Sequence, residues 1–110
     1  MSLPFEISPE ELDSLRRSEH PPVLIDVREP DEFDTAKIEG ARLLPLGDFA
    51  QLHVAELPDL HAHIVVHCHH GMRSARAVQF LQARSYTRVQ NLAGGIDAWS
   101  EKIDPQVPTY

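Results

Sequence analysis

Two short apolar runs, "VLIDV" at 23–27 and "HIVVHC" at 63–68, constrain this chain more than any other feature. Each is rich in β-branched residues and continuous rather than alternating, which suits a strand covered on both faces, as in a parallel sheet. Helical signals lie between and around them. Ser8 is followed by Pro9 and, three residues on, by Glu11, which predicts a capping box opening a helix through about Arg17, with Ile7 and Leu12 as its hydrophobic staple. "HPP" at 20–22 breaks the chain before the first run, "EPDEF" starts a short helix at Pro30, and "ARLLPL" reads as a second short strand stopped by Pro45. In "GDFAQLHVAEL" the three-residue intervals Phe49 to Leu52 and Val54 to Leu57 predict a helix. "SARAVQFLQAR", 74–84, predicts another, with Ala77, Val78 and Leu81 on one face. "RVQNL" is a further strand, and "GGIDAWSEKI" a Gly-Gly turn into a last helix that Trp99 packs. Strands alternating with helices imply an α/β fold, a mostly parallel sheet with helices on both faces.

Composition narrows the function classes. At 110 residues the chain is long enough for one compact domain, expected over 1–110. A formal charge of −7, without a basic cluster, disfavours nucleic acid and anionic membrane surfaces as partners. No apolar segment approaches the roughly 20 residues of a membrane span. A single cysteine forms no internal disulfide, and "MSLPFEISPEEL" has neither the basic start nor the apolar run of a secretory signal, so a reducing cytoplasm is the expected location.

That one cysteine carries the chemistry. Strand alternation places Ile64, Val66 and Cys68 on one side and His63, Val65 and His67 on the other, with Cys68 at the carboxyl end of its strand, where ligands of such sheets sit. A six-residue loop, "CHHGMR", then leads into a helix, and Gly71 permits a turn that other residues resist. Inward-pointing loop amides and the positive end of the helix dipole make a bowl for an anion. A free thiol with pKa near 8.5 is only about 3% thiolate at pH 7, and such surroundings lower that pKa. An exposed, activated thiolate at Cys68 is therefore expected. Arg73 either contacts an anionic ligand or braces the loop, and His69 and His70 either contact ligand or stand free in solvent. His67 reads as a packing residue. A metal site from His67, Cys68, His69 and His70 is disfavoured, because adjacent residues on a strand and tight loop are expected to point apart. Asp26 and Arg28, at the same edge of the sheet, read as an ion pair or a helix cap.

Three ordered motifs resemble a known family. "CHHGMRS" is similar to the active-site loop of single-domain rhodaneses, "LIDVREPDEFDTAKIEGARLLPL" to their N-terminal signature, and "NLAGGIDAW" to their C-terminal one. The resemblance implies a single rhodanese-like domain with a five-stranded sheet, Cys68 as the carrier of a transferable sulfur in a persulfide, and no cofactor. It makes His69, His70, Gly71, Met72 and Arg73 the donor-binding loop. It implies an anionic donor, thiosulfate or another persulfide, since the loop lacks the "CGSGVT" form associated with mercaptopyruvate. The acceptor would be cyanide, a small thiol or a protein. The ending "IDPQVPTY" is similar to tails of such domains, including ones associated with sulfur-carrier activation. Ala36-Lys37-Ile38 departs from the usual Gly-His-Ile and bears on the local turn. Cysteine phosphatases of related fold place five residues between Cys and Arg; here four intervene. The alternative to an enzyme is a non-catalytic module of the same fold that senses persulfides or docks a partner.

Overall fold

A computed structural model describes residues 3–110. Five strands form one sheet in the order β1-β5-β4-β2-β3: β1 Glu6–Ile7, β2 Val23–Asp26, β3 Arg42–Leu43, β4 Ile64–His67 and β5 Val89–Leu92. Every pairing is parallel, and β4 is the middle strand, registered on β2 through Val23↔Ile64 and Asp26↔His67 and on β5 through Ile64↔Val89. Helices α1 Pro9–Arg16, α2 Pro30–Thr35, α3 Leu46–Glu56, α4 Met72–Gln82 and α5 Gly95–Lys102 complete the chain.

The alternation expected in β4 is observed. Ile64, Val66 and Cys68 join Ile25 and Val27 in one buried cluster with Phe49, Leu57, Ala77, Val78 and Leu81 from the α3 and α4 segments. Val65 and Leu24 face the other way, into a second cluster with Ile7, Leu12, Leu92, Ile96 and Trp99. Both faces of the sheet are thus covered by helices, which is why β2 and β4 carry no polar-out alternation.

Several elements differ from expectation. β1 has no strand signature of its own; two residues long, it exists because Glu6 and Ile7 pair with Asn91 and Leu92 of β5. At α1 only half the capping box forms: the Ser8 hydroxyl oxygen accepts from the Glu11 N–H at 3.1 Å, while the Glu11 carboxylate accepts from that hydroxyl at 3.2 Å. The apolar pairs proposed for α3 do not both face inward. Leu52 and Val54 are exposed, and the buried face is Phe49, His53 and Leu57, spaced by four. His53 takes an inward place because its Nδ1 lies 3.0 Å from the Ala50 carbonyl oxygen and its ring meets the edge of Phe80 at 4.9 Å. Lys37 lies over the Phe33 ring at 5.2 Å, while its neighbours Ala36 and Ile38 are buried, so the departure at 36–38 keeps its apolar packing.

Under the carboxyl ends of β2 and β4 lies a buried polar group. Arg28 donates to Asp26 from Nε at 3.0 Å and from Nη2 at 2.7 Å, so the pair read from "LIDVR" is a fully buried ion pair. His67, also buried, has its Nδ1 3.4 Å from the Cys68 carbonyl oxygen, while its Nε2, 3.7 Å from the Asp26 carboxylate, has no hydrogen-bond partner. Burial pushes its imidazole down to about 4; Asp26 opposes the shift and Arg28 adds to it. The unfolded chain binds this proton near 6.5, so between about 6.5 and 4 the unfolded state holds more protons and stability falls as pH drops. The full effect is on the order of 3 kcal/mol. Thermal unfolding followed from pH 7.5 to 4 is expected to show this decline, and His67→Gln should flatten it. An equally steep profile in the variant would remove His67 as its cause.

Candidate active site

Cys68 follows the last residue of β4, and α4 starts sooner after it than expected. Gly71 is the N-cap, with φ +117, and Met72 and Arg73 already form the first helical turn instead of closing a six-residue loop. The early start matters because the first N–H groups of a helix have no partner within it. Here they are turned to sulfur. The Gly71 N–H donates to Sγ at 3.0 Å and the Ser74 hydroxyl lies 3.3 Å from it, while the N–H groups of Arg73 and Ser74 add to the favourable field there.

Cys68 is 1% exposed, which corrects the expectation of an exposed thiolate. Burial alone would raise its pKa. The Ser74 hydroxyl and the N–H groups of Ser74, Gly71 and Arg73 outweigh that effect and hold the thiol below its ordinary value. Hydrogen bonding rather than solvent favours the anion.

Arg73 turns to Glu32 of α2, donating from Nη1 to Oε1 at 2.6 Å and from Nη2 to Oε2 at 3.0 Å. This two-pronged bond fixes the helix start and holds the Glu32 carboxyl down at about 2, with burial opposing and the Glu29 N–H and Tyr110 hydroxyl assisting. Tyr110 donates to Glu32 Oε2 at 2.9 Å and accepts from Arg28 Nη1 at 2.6 Å. The loop is therefore tied through Glu32 and Tyr110 to the buried Asp26–Arg28 pair. Glu32, Tyr110, Ser74 and Asn91 escaped sequence reasoning. Of these only Ser74, next to the loop, and Asn91, a polar residue in a buried strand, left a local signal.

His69 lies between Tyr110 and His70, with ring centroids at 4.1 Å and 4.0 Å and the rings nearly parallel to it. Burial and the neighbouring His70 lower its pKa, and Asp97 and Glu32 oppose. Met72 is 77% exposed beside the loop. The expectation that adjacent histidines point apart is thus wrong for His69 and His70. With Asp97 they offer ligand atoms within 4.8 Å of one another. Stacked rings, however, hold their nitrogen lone pairs in separate parallel planes, which do not meet at one ion. His67 and Cys68 are engaged elsewhere.

Residues 8–102 match the family model of the rhodanese-like domain. The chain belongs to that family. A rhodanese-like/PpiC domain-containing protein of Arabidopsis thaliana is 38% identical over 93 residues, 79% of this chain and 30% of its own length. An adenylyltransferase and sulfurtransferase of Zea mays is 33% identical over 99 residues, 82% of this chain and 20% of its own. This rhodanese-like chain therefore spans less than a third of either protein. Among solved structures, a human single-domain sulfurtransferase superposes with a TM-score of 0.79 at 31% identity, covering 91% of this chain and 98% of that one.

The Gly-Gly turn of the rhodanese-like motif has a physical reason here. The backbone N–H groups of Ile96 and Asp97 donate to the carbonyls of Cys68 and His69 at 2.9 and 3.2 Å, pulling Gly95 against the loop. A Cβ on Gly95, whose φ is +60, would lie 2.4 Å from the His69 oxygen and 2.6 Å from the Cys68 oxygen. Gly95→Ala should therefore lower stability by at least about 2 kcal/mol, a fall of roughly 8 °C or more in thermal midpoint. Gly47→Ala, where a Cβ meets nothing within 4 Å, should leave it unchanged or slightly higher. Equal midpoints for the two variants would contradict this packing.

Proposed function

We propose that the protein is a thiosulfate sulfurtransferase-like enzyme that carries sulfane sulfur on Cys68 by a ping-pong mechanism. The observation that carries this reading is the sulfur itself: Sγ faces the Gly71 N–H at 3.0 Å and a helix N-terminus, and its thiol is held below the ordinary value. In the first half-reaction the Cys68 thiolate attacks the outer sulfur of thiosulfate, the S–S bond breaks, and sulfite leaves with the bonding pair. In the second, cyanide, a small thiol or a protein takes the outer sulfur and Cys68 leaves as thiolate. Loop amides stabilise the charge at each stage. No cofactor takes part in this scheme.

At 1% exposure Cys68 reacts only when the groups around it give way to donor and acceptor. In this scheme His69, His70 and Met72 of the loop meet donor and acceptor, Gly71 supplies its N–H, and Arg73 acts mainly as the brace that keeps the amides aimed. A protein acceptor is supported by the Zea mays relative, whose name joins a sulfurtransferase to an adenylyltransferase. Among the described residues no helix is long and apolar enough to cross a membrane. A lone cysteine that works as a thiolate suits a reducing, cytoplasmic compartment. The acidic charge of −7 speaks against nucleic acid as a partner.

Four residues between Cys68 and Arg73 make a narrow bowl that suits one further sulfur carried on Sγ better than a phosphoryl group with three spread oxygens. Incubation with thiosulfate should add the mass of one sulfur atom, removable by cyanide, and Cys68→Ser should show neither mass gain nor turnover. Hydrolysis of p-nitrophenyl phosphate that depends on Cys68 should be absent. Wild-type turnover in the Ser variant, or efficient phosphatase activity lost in it, would place the protein in another class.

A further inference from the structure

Ser74 and Asn91 stand behind the sulfur, both buried. The Ser74 Oγ lies 3.3 Å from Cys68 Sγ and 2.5 Å from Asn91 Oδ1. The Asn91 amide has only one sensible orientation. Its Nδ2 donates to the Gly71 carbonyl at 3.1 Å and to Glu6 Oε2, its register partner on β1, at 3.3 Å. Reversed, its oxygen would face a carbonyl and a carboxylate. Asn91 therefore presents an acceptor to Ser74, and Ser74 has one proton for two acceptors.

We propose that Asn91 is a positioning residue that parks the Ser74 hydroxyl while Cys68 Sγ is neutral and releases it to Sγ when the sulfur becomes an anion. The proposal deepens the sulfurtransferase reading and rests on it for its catalytic meaning. In the persulfide, Sγ is a neutral bridging sulfur and the hydroxyl donates to Asn91 Oδ1. When the acceptor's electron pair forms a bond to the outer sulfur, the S–S bond breaks and its pair passes to Sγ. The hydroxyl then turns about its C–O bond and donates to Sγ, stabilising charge that exists only from the transition state onward. No heavy atom has to move. Charging the enzyme runs the same rotation in reverse. Besides these groups, the charges near the relay are Glu6 on β1, the Arg73–Glu32 pair between α4 and α2, and His67 and His69 flanking Cys68. The proposed substitutions remove none of these charges, and Asn91→Leu withdraws the Nδ2 donor from Glu6 and from the Gly71 carbonyl, an effect that the double variant registers by itself.

The two residues then act on the thiol in opposite senses. Ser74→Ala removes a donor to the thiolate, whereas removing the Asn91 acceptor frees the hydroxyl to serve sulfur alone. Alkylation by iodoacetamide is followed against pH in wild type, Ser74→Ala, the near-isosteric Asn91→Leu, and the double variant. Ser74→Ala should move the midpoint up and slow alkylation at pH 6 by roughly tenfold, the effect of one hydrogen bond to a charged group. Asn91→Leu should move it down, and should have no effect on the Ser74→Ala background. A merely structural Asn91 would, when replaced, slacken the amides and move the midpoint up. Such an upward shift, or a downward one that persists without Ser74, overturns the relay.

A second readout needs no variant of Asn91. The carboxamide carbon resonance of Asn91 in the wild-type protein should titrate with the alkylation midpoint of Cys68, and this component should vanish in Cys68→Ala. An Asn91 resonance that ignores Cys68 ionisation also overturns the proposal. Neither readout uses a sulfur donor. Opposite-signed shifts in a protein that never gains sulfur from thiosulfate would uphold the relay and overturn the sulfurtransferase reading.

Discussion

The structure turns on a conflict at one atom. Cys68 Sγ is taken out of water, which penalises the anion, and is then surrounded by N–H and O–H groups that reward it. The second effect wins because the donors come preassembled. They belong to a helix start whose N–H groups lack intrahelical partners, so turning them to sulfur breaks no other hydrogen bond. Water in their place would have to reorganise as charge comes and goes. Fixed amides do not.

Holding those donors still is the task of the surrounding side chains. Glu32 is the hub: it grips Arg73 on the loop side, accepts from Tyr110, and caps its own helix by accepting from the Glu29 N–H at 2.9 Å. Arg28 joins the same network from below through Tyr110, and its Nη2 donates to the Ala36 carbonyl at 2.6 Å. A buried ion pair such as Asp26–Arg28 adds little net stability over apolar residues of the same shape, yet losing one partner is costly. Its value here is geometric. It fixes the carboxyl end of β2 beside that of β4, and so fixes the height at which α2 presents Glu32 to Arg73.

Much of this was legible in the chain. The runs at 23–27 and 63–68 announced strands covered on both faces, because no water-facing residue interrupts them. Pro9 and Pro30 marked helix starts, since proline at the first turn sacrifices no bond. Cys68 beside Gly71 marked the loop. Other features were hidden for identifiable reasons. β1 is made by its partner strand rather than by its two residues. In α3 the apolar intervals misled because His53, with a carbonyl for its Nδ1 and rings for its faces, is as good an inward residue as a leucine. The start of α4 is not local: Met72 and Arg73 carry no helix signal of their own, and Arg73 is held by Glu32, 41 residues away.

Local patterns by themselves determined the fold class, the succession of helices and of the four strands after β1, and the one cysteine at a strand end, because hydrophobic period, proline and glycine act over a few residues. They also determined that Cys68 would meet a helix start. Only the tertiary structure decided what the thiol experiences there. Whether Cys68 is covered or open, whether Arg73 faces a ligand or Glu32, and whether His69 stacks on Tyr110 all depend on segments far apart in the chain. The same is true of Asn91, which reaches Ser74 across 17 residues because β5 lies against β4. Hydrogen bonds and electrostatic effects act through space at a few ångströms, and a linear sequence does not specify which distant groups the fold brings that close.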